Sequence, residues 1–272
     1  MNFLQALVLG IVQGITEFLP ISSTAHLILA RLLLGVEKSP SDLSIDVVFN
    51  FVTFIPVVWY FWGDLKNVAA GGLRSFKKLD LRGDPEQRLA WFLVIGCIPG
   101  GLLGIMGERV MDHLRTPLVI GIAMVGFAFL LWFAEAVGKR ERDIESIKWK
   151  HVLLIGLFQG LAVIPGASRS GVTITAGLLA GMQREAAARF AFLLGLPIML
   201  AAMVYEARKL QLTDFTLPVI GGAITAIVAG YLSIRFLMAF LRTRSTMVFI
   251  VYRLVVGTAI IALALTGRFP GA

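Results

Sequence analysis

The sequence predicts an all-α polytopic membrane protein with six transmembrane helices and two re-entrant helix pairs arranged as an inverted-topology repeat. Three observations predict it. Of 272 residues, 57% are hydrophobic and only 15% charged, with a mean hydropathy of +0.83, and the apolar runs repeatedly reach the roughly 17–25 residues that cross a bilayer as a helix. Two further apolar regions are interrupted at their centres by Pro, Ser and Gly. Those two interruptions resemble each other, which marks an internal repeat.

The chain opens on an apolar run that lacks a basic leading segment and contains Gln13 and Glu17. It is therefore expected to belong to the mature fold and not to a cleaved signal peptide. Region 3–35 is long enough for two crossings, but Pro20, Ser22 and Ser23 break it into paired half-helices. Continuous spans are expected at about 44–62, 90–107 and 117–136. The second broken region, 152–182, follows, and after it spans at about 190–205, 216–234 and 246–266. The one cysteine, Cys97, lies in an apolar stretch, so neither an internal disulfide nor a cysteine metal cage can form, and a packing role is expected.

The repeat is carried by GIVQGITEFLPISST, Gly10 to Thr24, and GLFQGLAVIPGASRSGVT, Gly156 to Thr173, which share G-x-x-Q-G, an apolar stretch, a proline and a serine-rich turn. Three spans follow each copy, dividing the chain into halves of about 1–140 and 141–272, the plan of inverted-repeat membrane folds. Charge supports the inversion. If both broken regions return to the side they enter from and the N-terminus is outside, the inner segments are about 63–89, 137–151, 183–189 and 235–245. These hold sixteen Lys and Arg residues. The outer segments hold seven: Arg31, Lys38, Arg109, Arg115, Arg208, Lys209 and Arg268. The formal charge of +8 thus reads as orientation in the membrane, not as a nucleic-acid surface. The first dip then enters from outside and the second from the cytoplasm.

Irregular backbone at membrane depth survives only inside protein or against a watery cavity, so the tips Pro20–Thr24 and Pro165–Ser170 are expected to meet in one polar chamber. Half-helix N-termini starting there aim N–H groups at an anion. Arg169 is the residue hardest to explain as packing, because an unpaired guanidinium at mid-membrane costs several kcal/mol or more. Gly166 and Gly171 permit close backbone approach, while Ser168, Ser170 and Thr173 supply hydroxyls, a set suited to phosphate. The alternative is an ion pair from Arg169 to Glu17. In the first tip, Ser22 and Ser23 occupy the turn, His26 lies one helical turn on and Glu17 lies before Pro20, the residue types of an activated nucleophile. Gln13 shares a helix face with Glu17 and can reach the same ligand, or else it packs helices. With one carboxylate there, a protein-only divalent site is not expected. Mg²⁺ or Ca²⁺ bridging substrate phosphates, with Glu17 as the metal-facing oxygen donor, is compatible with the donor set.

QGITEFLPISSTAH (Gln13 to His26), PGASRSGVT (Pro165 to Thr173) and REAAARF (Arg184 to Phe190) resemble the undecaprenyl-diphosphate phosphatases of bacterial membranes, and the likeness extends along nearly the whole chain. The resemblance implies a multi-pass enzyme of the inner (plasma) membrane that hydrolyses undecaprenyl diphosphate, a polyprenyl diphosphate lipid, to the monophosphate. That activity recycles the carrier for cell-wall synthesis and confers bacitracin resistance; the charge bias, in turn, is expected to open the active site to the outer, periplasmic face. By position, Ser23 resembles the central catalytic serine, Arg169 the phosphate-binding arginine, and Glu17 and His26 the acid–base and orienting residues. Ser22, Thr24, Ser168, Ser170 and Thr173 resemble the phosphate-contact shell. Gln13 stands where many members carry Glu, Ala25 replaces a common Gly, and Asp46 to Val57 lacks the expected Gln/His-Leu-Gly pattern, so Asn50 and Thr53 are not counted as contacts. The competing reading is a transporter or flippase of a phosphorylated lipid or small anion. It needs the arginine but not the serine, histidine and glutamate beside it.

Overall fold

In the computed structural model of the chain, residues 1–36, 42–111 and 114–267 are described, and helices dominate them. Helices α1 (Phe3–Phe18) and α2 (Ser23–Leu33) form the first broken pair, followed by α3 (Asp42–Val52), α4 (Phe54–Tyr60), α5 (Trp62–Ser75), α6 (Pro85–Met111) and α7 (Pro117–Val137). Helix α8 (Trp149–Gly160), prolonged by a 3-10 turn at Leu161–Val163, and α9 (Arg169–Leu179) form the second pair. They precede α10 (Arg184–Glu206), α11 (Leu217–Thr243) and α12 (Met247–Leu265). The only β-type contact among the described residues is an isolated bridge between Arg142 and Met182.

Helix α1 begins where Asn2 and Gln5 cap each other, with bonds of 2.8 and 2.9 Å. It ends at Phe18 because Pro20 disfavours helical backbone at the residue before it, and Leu19 is extended at ψ 144°. Sixteen residues rise only about 24 Å, short of a ~30 Å hydrocarbon core. The chain turns at Ser22 and α2 packs back against α1, as α9 does against α8. Among the described residues five helices are long and apolar enough to cross alone: α6, α7, α10, α11 and α12.

The sixth expected span, 44–62, is not one straight helix. It is a bent unit in which Ile45–Tyr60 meets Trp62–Ser75 at 82°, so the expected inner loop 63–89 begins as helix α5. Trp62 and Leu73 of α5 are exposed, while Leu65 and Val68 pack against the core and Gly71 packs directly on the backbone of Glu86 and Gln87 in α6. The expected loop 235–245 is helix as well. Helix α11 continues to Thr243, two turns past the apolar stretch, because Arg235 and Arg242 can extend a helix beyond the lipid without breaking it.

Polarity is distributed as lipid demands. Large apolar side chains such as Ile122, Phe129 and Phe133 face outward, whereas Gln13, Ser22, Thr173 and Arg253 are buried. Helix α1 packs on α11, and α8 packs on α6. Gly10 and Gly156, equivalent in the repeat, sit against the carbonyls of Gly222 and Gly96, where any Cβ would collide. The four segments expected on the inner side are tied together at one end of the molecule. Arg88 donates to the Glu145 carbonyl at 2.6 Å and Arg142 to that of Ala180 at 2.7 Å. The buried Glu135 carboxylate accepts from Arg140, Arg184 and Thr246, while Arg189 pairs with Asp64 and Arg242 with Glu185. On the expected outer side Arg31 pairs with Asp46 at 2.7 Å. Lys38 and Arg268 lie outside the described residues, as do the side chains of Arg109 and Lys209.

Candidate active site

Both breaks use the same backbone device. Ser22 stands at φ 76°, ψ 103° and Ser168 at φ 70°, ψ 113°, a region sparsely populated by L-residues that costs on the order of 1–3 kcal/mol. Each is the residue before its half-helix, so the next residues, Ser23 and Arg169, are the first of α2 and α9. Gln13 and Gln159 also correspond, which makes Ser23 and Arg169 equivalent positions of the repeat. The turns deliver these two side chains to one carboxylate.

That carboxylate is Glu17. Ser23 Oγ donates to Oε2 at 2.9 Å, and Arg169 Nη2 reaches Oε1 at 2.6 Å. The ion pair weighed above as an alternative is therefore present, and it coexists with the serine contact instead of replacing it. Gln13 Nε2 lies 3.3 Å from Glu17 Oε2 and donates to Asn50 Oδ1 at 2.9 Å, leaving Gln13 Oε1 buried without a partner. Asn50, discounted from its sequence context, thus joins the site through Gln13. Thr53 is fully buried and donates to the Asn50 carbonyl at 2.6 Å, a backbone brace. Glu17, Arg169, Ser170 and Thr173 wall a small cavity closed by Phe18, Val57, Phe192 and Met199.

The second tip is knit to the first by hydroxyls. Gly171 N–H donates to Ser168 Oγ, Ser168 Oγ lies 3.2 Å from Ser170 Oγ, and Ser170 Oγ donates to the Leu19 carbonyl at 3.2 Å. Thr173 Oγ1 is spent on the Arg169 carbonyl at 2.7 Å. Gly166, at φ 94°, lies against the Ile120 carbonyl of α7, where a side chain has no room. In the first tip Ser22 is buried and caps nothing with its hydroxyl, and Thr24 is exposed. No side chain caps α2, so its first-turn N–H groups are directed at whatever enters the tip.

His26 departs from the expected pairing with Ser23. Its Nδ1 donates to the Ser22 carbonyl and its Nε2 faces Tyr252 Oη, both at 2.7 Å. Tyr252 and its neighbour Arg253 are the residues in contact with the tips that the motifs did not point to. Arg253 is completely buried and donates to four carbonyls: Met124 at 3.2 Å, Pro20 at 3.2 Å, Gly166 at 3.1 Å and Ala167 at 3.1 Å. One guanidinium from α12 thereby clasps the backbone of both tips. The signal was in the sequence, because an arginine in the middle of the apolar span 246–266 needs a partner.

Among the described residues no three His, Cys, Asp or Glu side chains gather as a metal site. The oxygens at the tips that could face a cation are Glu17, already shared by Arg169 and Ser23, and the unpartnered Gln13 Oε1. That set fits a cation held chiefly by a bound anion.

A family model described as bacitracin resistance protein BacA matches residues 6–259. An undecaprenyl-diphosphatase of Moorella thermoacetica is 40% identical over 263 residues, covering 96% of this chain and 98% of its own. Undecaprenyl-diphosphatase 2 of Stutzerimonas stutzeri is 41% identical over 271 residues, covering 97% and 98%. An undecaprenyl-diphosphatase of Nitrosococcus oceani is 43% identical over 262 residues, covering 94% and 97%.

Proposed function

The chain belongs to the family of the bacitracin resistance protein BacA, and from that premise we propose that its two tips form the centre that hydrolyses undecaprenyl diphosphate. The protein is a multi-pass membrane phosphatase that releases the terminal phosphate of this lipid and returns the monophosphate to cell-wall synthesis, the activity that confers bacitracin resistance. The observation that carries the site assignment is Glu17, which receives a hydroxyl from one tip and a guanidinium from the other.

The reaction proceeds in two displacements. The diphosphate enters between the tips, where Arg169 and the first-turn N–H groups of α2 bind its terminal phosphoryl oxygens and stabilise the charge of the transition state. Ser23 Oγ, already hydrogen-bonded to Glu17, gives its proton to that carboxylate and forms a bond to the terminal phosphorus. The bond from phosphorus to the bridging oxygen breaks, and the lipid monophosphate leaves with the electron pair. Glu17 passes the serine proton to that leaving group; water then attacks the phosphoserine, Glu17 accepts a proton from the water and returns it to Ser23 Oγ, and the phosphorus–Oγ bond breaks as phosphate departs. Ser22, Thr24, Ser168, Ser170, Thr173, Gly166 and Gln13 shape the phosphate shell. Mg²⁺ or Ca²⁺ arriving with the diphosphate would face Glu17 and Gln13 Oε1 and neutralise part of the phosphoryl charge. The enzyme resides in the inner membrane with the tips open to the outer, periplasmic face, the orientation supported by the excess of basic residues in the segments joined at the opposite end.

The test is phosphate release by purified protein from undecaprenyl diphosphate in detergent, with Glu17→Gln as its partner. Turnover by wild type and a loss of about 10²–10⁴-fold in the variant are expected. Wild-type protein that binds the lipid without releasing phosphate would instead be a carrier.

A further inference from the structure

The two tips share one backbone conformation but are held differently. At the second tip the turn holds itself, because Ser168 Oγ accepts from Gly171 N–H and the Ser168 carbonyl accepts the Val172 N–H at 2.9 Å. At the first tip Ser22 makes no such cap, and the corresponding backbone bond, from His26 N–H to the Ser22 carbonyl, is stretched to 3.4 Å. The side chain of His26 takes over, its Nδ1–H meeting that carbonyl at 2.7 Å. His26 stands where the second repeat has Val172, so this brace exists in one tip only. The imidazole is fixed in turn by Tyr252, whose Oη lies 2.7 Å from Nε2 and whose ring is stacked on it at 5.5 Å, with 8° between the planes.

We propose that Tyr252 is a positioning residue for the reaction: its phenol donates to Nε2, holds His26 as the Nδ1–H tautomer, and through the Ser22 carbonyl keeps the first tip in the turn that presents Ser23 to Glu17. The tautomer follows from partners. A carbonyl only accepts, so Nδ1 carries the proton, and a neutral ring then offers Nε2 as acceptor to the phenol. Both nitrogens are thereby engaged away from Ser23, whose own bond goes to Glu17. His26 acts on the geometry of the nucleophile and not on its proton. Tyr252 precedes Arg253, which grips the Pro20 carbonyl of the same turn, so two consecutive residues of α12 hold the backbone on either side of Ile21.

This inference rests on the phosphatase reading, and two readouts separate them. The chain has three histidines, so ¹⁵N spectra of histidine-labelled protein in detergent, compared with His26→Asn, isolate the His26 ring. The Nδ1–H tautomer is expected in wild type, with the Nε2 resonance of Tyr252→Phe moving towards that of an unbonded imidazole nitrogen. In kinetics with undecaprenyl diphosphate, Tyr252→Phe is expected to lower kcat roughly ten- to a hundredfold while KM stays within about threefold. A proton on Nε2 in wild type, or a Tyr252→Phe kcat within about twofold of wild type, overturns the proposal. A wild-type protein without phosphatase activity overturns the reading beneath it, and the tautomer remains measurable.

Discussion

Glu17 accepts from two repeat-equivalent side chains that the chain has made unlike, a serine and an arginine. An inverted repeat supplies two similar turns, and the chemistry requires that they differ, with one carrying the nucleophile and the other the anion-binding cation. The residue types and their tips were legible because serine, arginine and glutamate inside apolar sequence are costly unless used. Their pairing was not, since sequence spacing gives reach and not partner. His26 is near enough to Ser23 along a helix to suggest a base, yet it turns to the Ser22 carbonyl. Two expectations follow at this scale. Replacing Ser23 with Ala removes the nucleophile and should cost several orders of magnitude in kcat, whereas Ser22→Ala, which loses a hydroxyl that caps nothing, should cost about tenfold or less. A Ser23→Ala enzyme retaining a tenth of wild-type turnover would leave direct attack by water as the mechanism. Arg169→Lys should lose about tenfold or more in kcat/KM, because an ammonium cannot engage Glu17 and two phosphoryl oxygens with the geometry of a planar fork.

At the scale of elements, the breaks in 3–35 and 152–182 were readable from proline and serine, and the structure has them within a residue or two of the expected turns. The bend at Phe61 was not. Nothing at Phe61–Trp62 is a helix breaker, and α5 is directed by its packing, through Gly71, on α6. The role of α12 was likewise hidden, because its window reads as one more apolar span and only Arg253 betrays it. Arg253 joins α7 and both tips through carbonyls with their partners supplied by a single side chain. Arg253→Met would take the side-chain donor from the buried tip carbonyls of Pro20, Gly166 and Ala167, at a cost of at least about 3 kcal/mol. For a chain of this size that corresponds to a fall in Tm of roughly 6–12 °C in detergent. Unchanged Tm in that variant would mean that the tips hold their turns without the clasp.

For the molecule as a whole, the ordering of charge is what the sequence conveyed best. Four segments assigned to one side by counting Lys and Arg are joined there by Arg88, Arg142, Arg184, Arg189 and Arg242. Each of these arginines bonds to another segment of the set or to a residue bordering it. What counting could not convey is that the tips, equivalent in sequence, are unequal in access, since Thr24 of the first is exposed while Ser170 and Thr173 of the second are buried. The proposed outer-leaflet orientation requires the uncapped half-helix to open on that side, with the basic end facing the cytoplasm. Single cysteines in a Cys97→Ala background read this out. With an impermeant thiol reagent on intact spheroplasts, Thr24→Cys should label and be protected by added undecaprenyl diphosphate. Lys77→Cys and Arg244→Cys, both at exposed positions of the basic end, should label only after the membrane is opened. Labelling of Lys77→Cys and Arg244→Cys in closed spheroplasts, with Thr24→Cys silent, would invert the protein and move the phosphatase to the cytoplasmic leaflet.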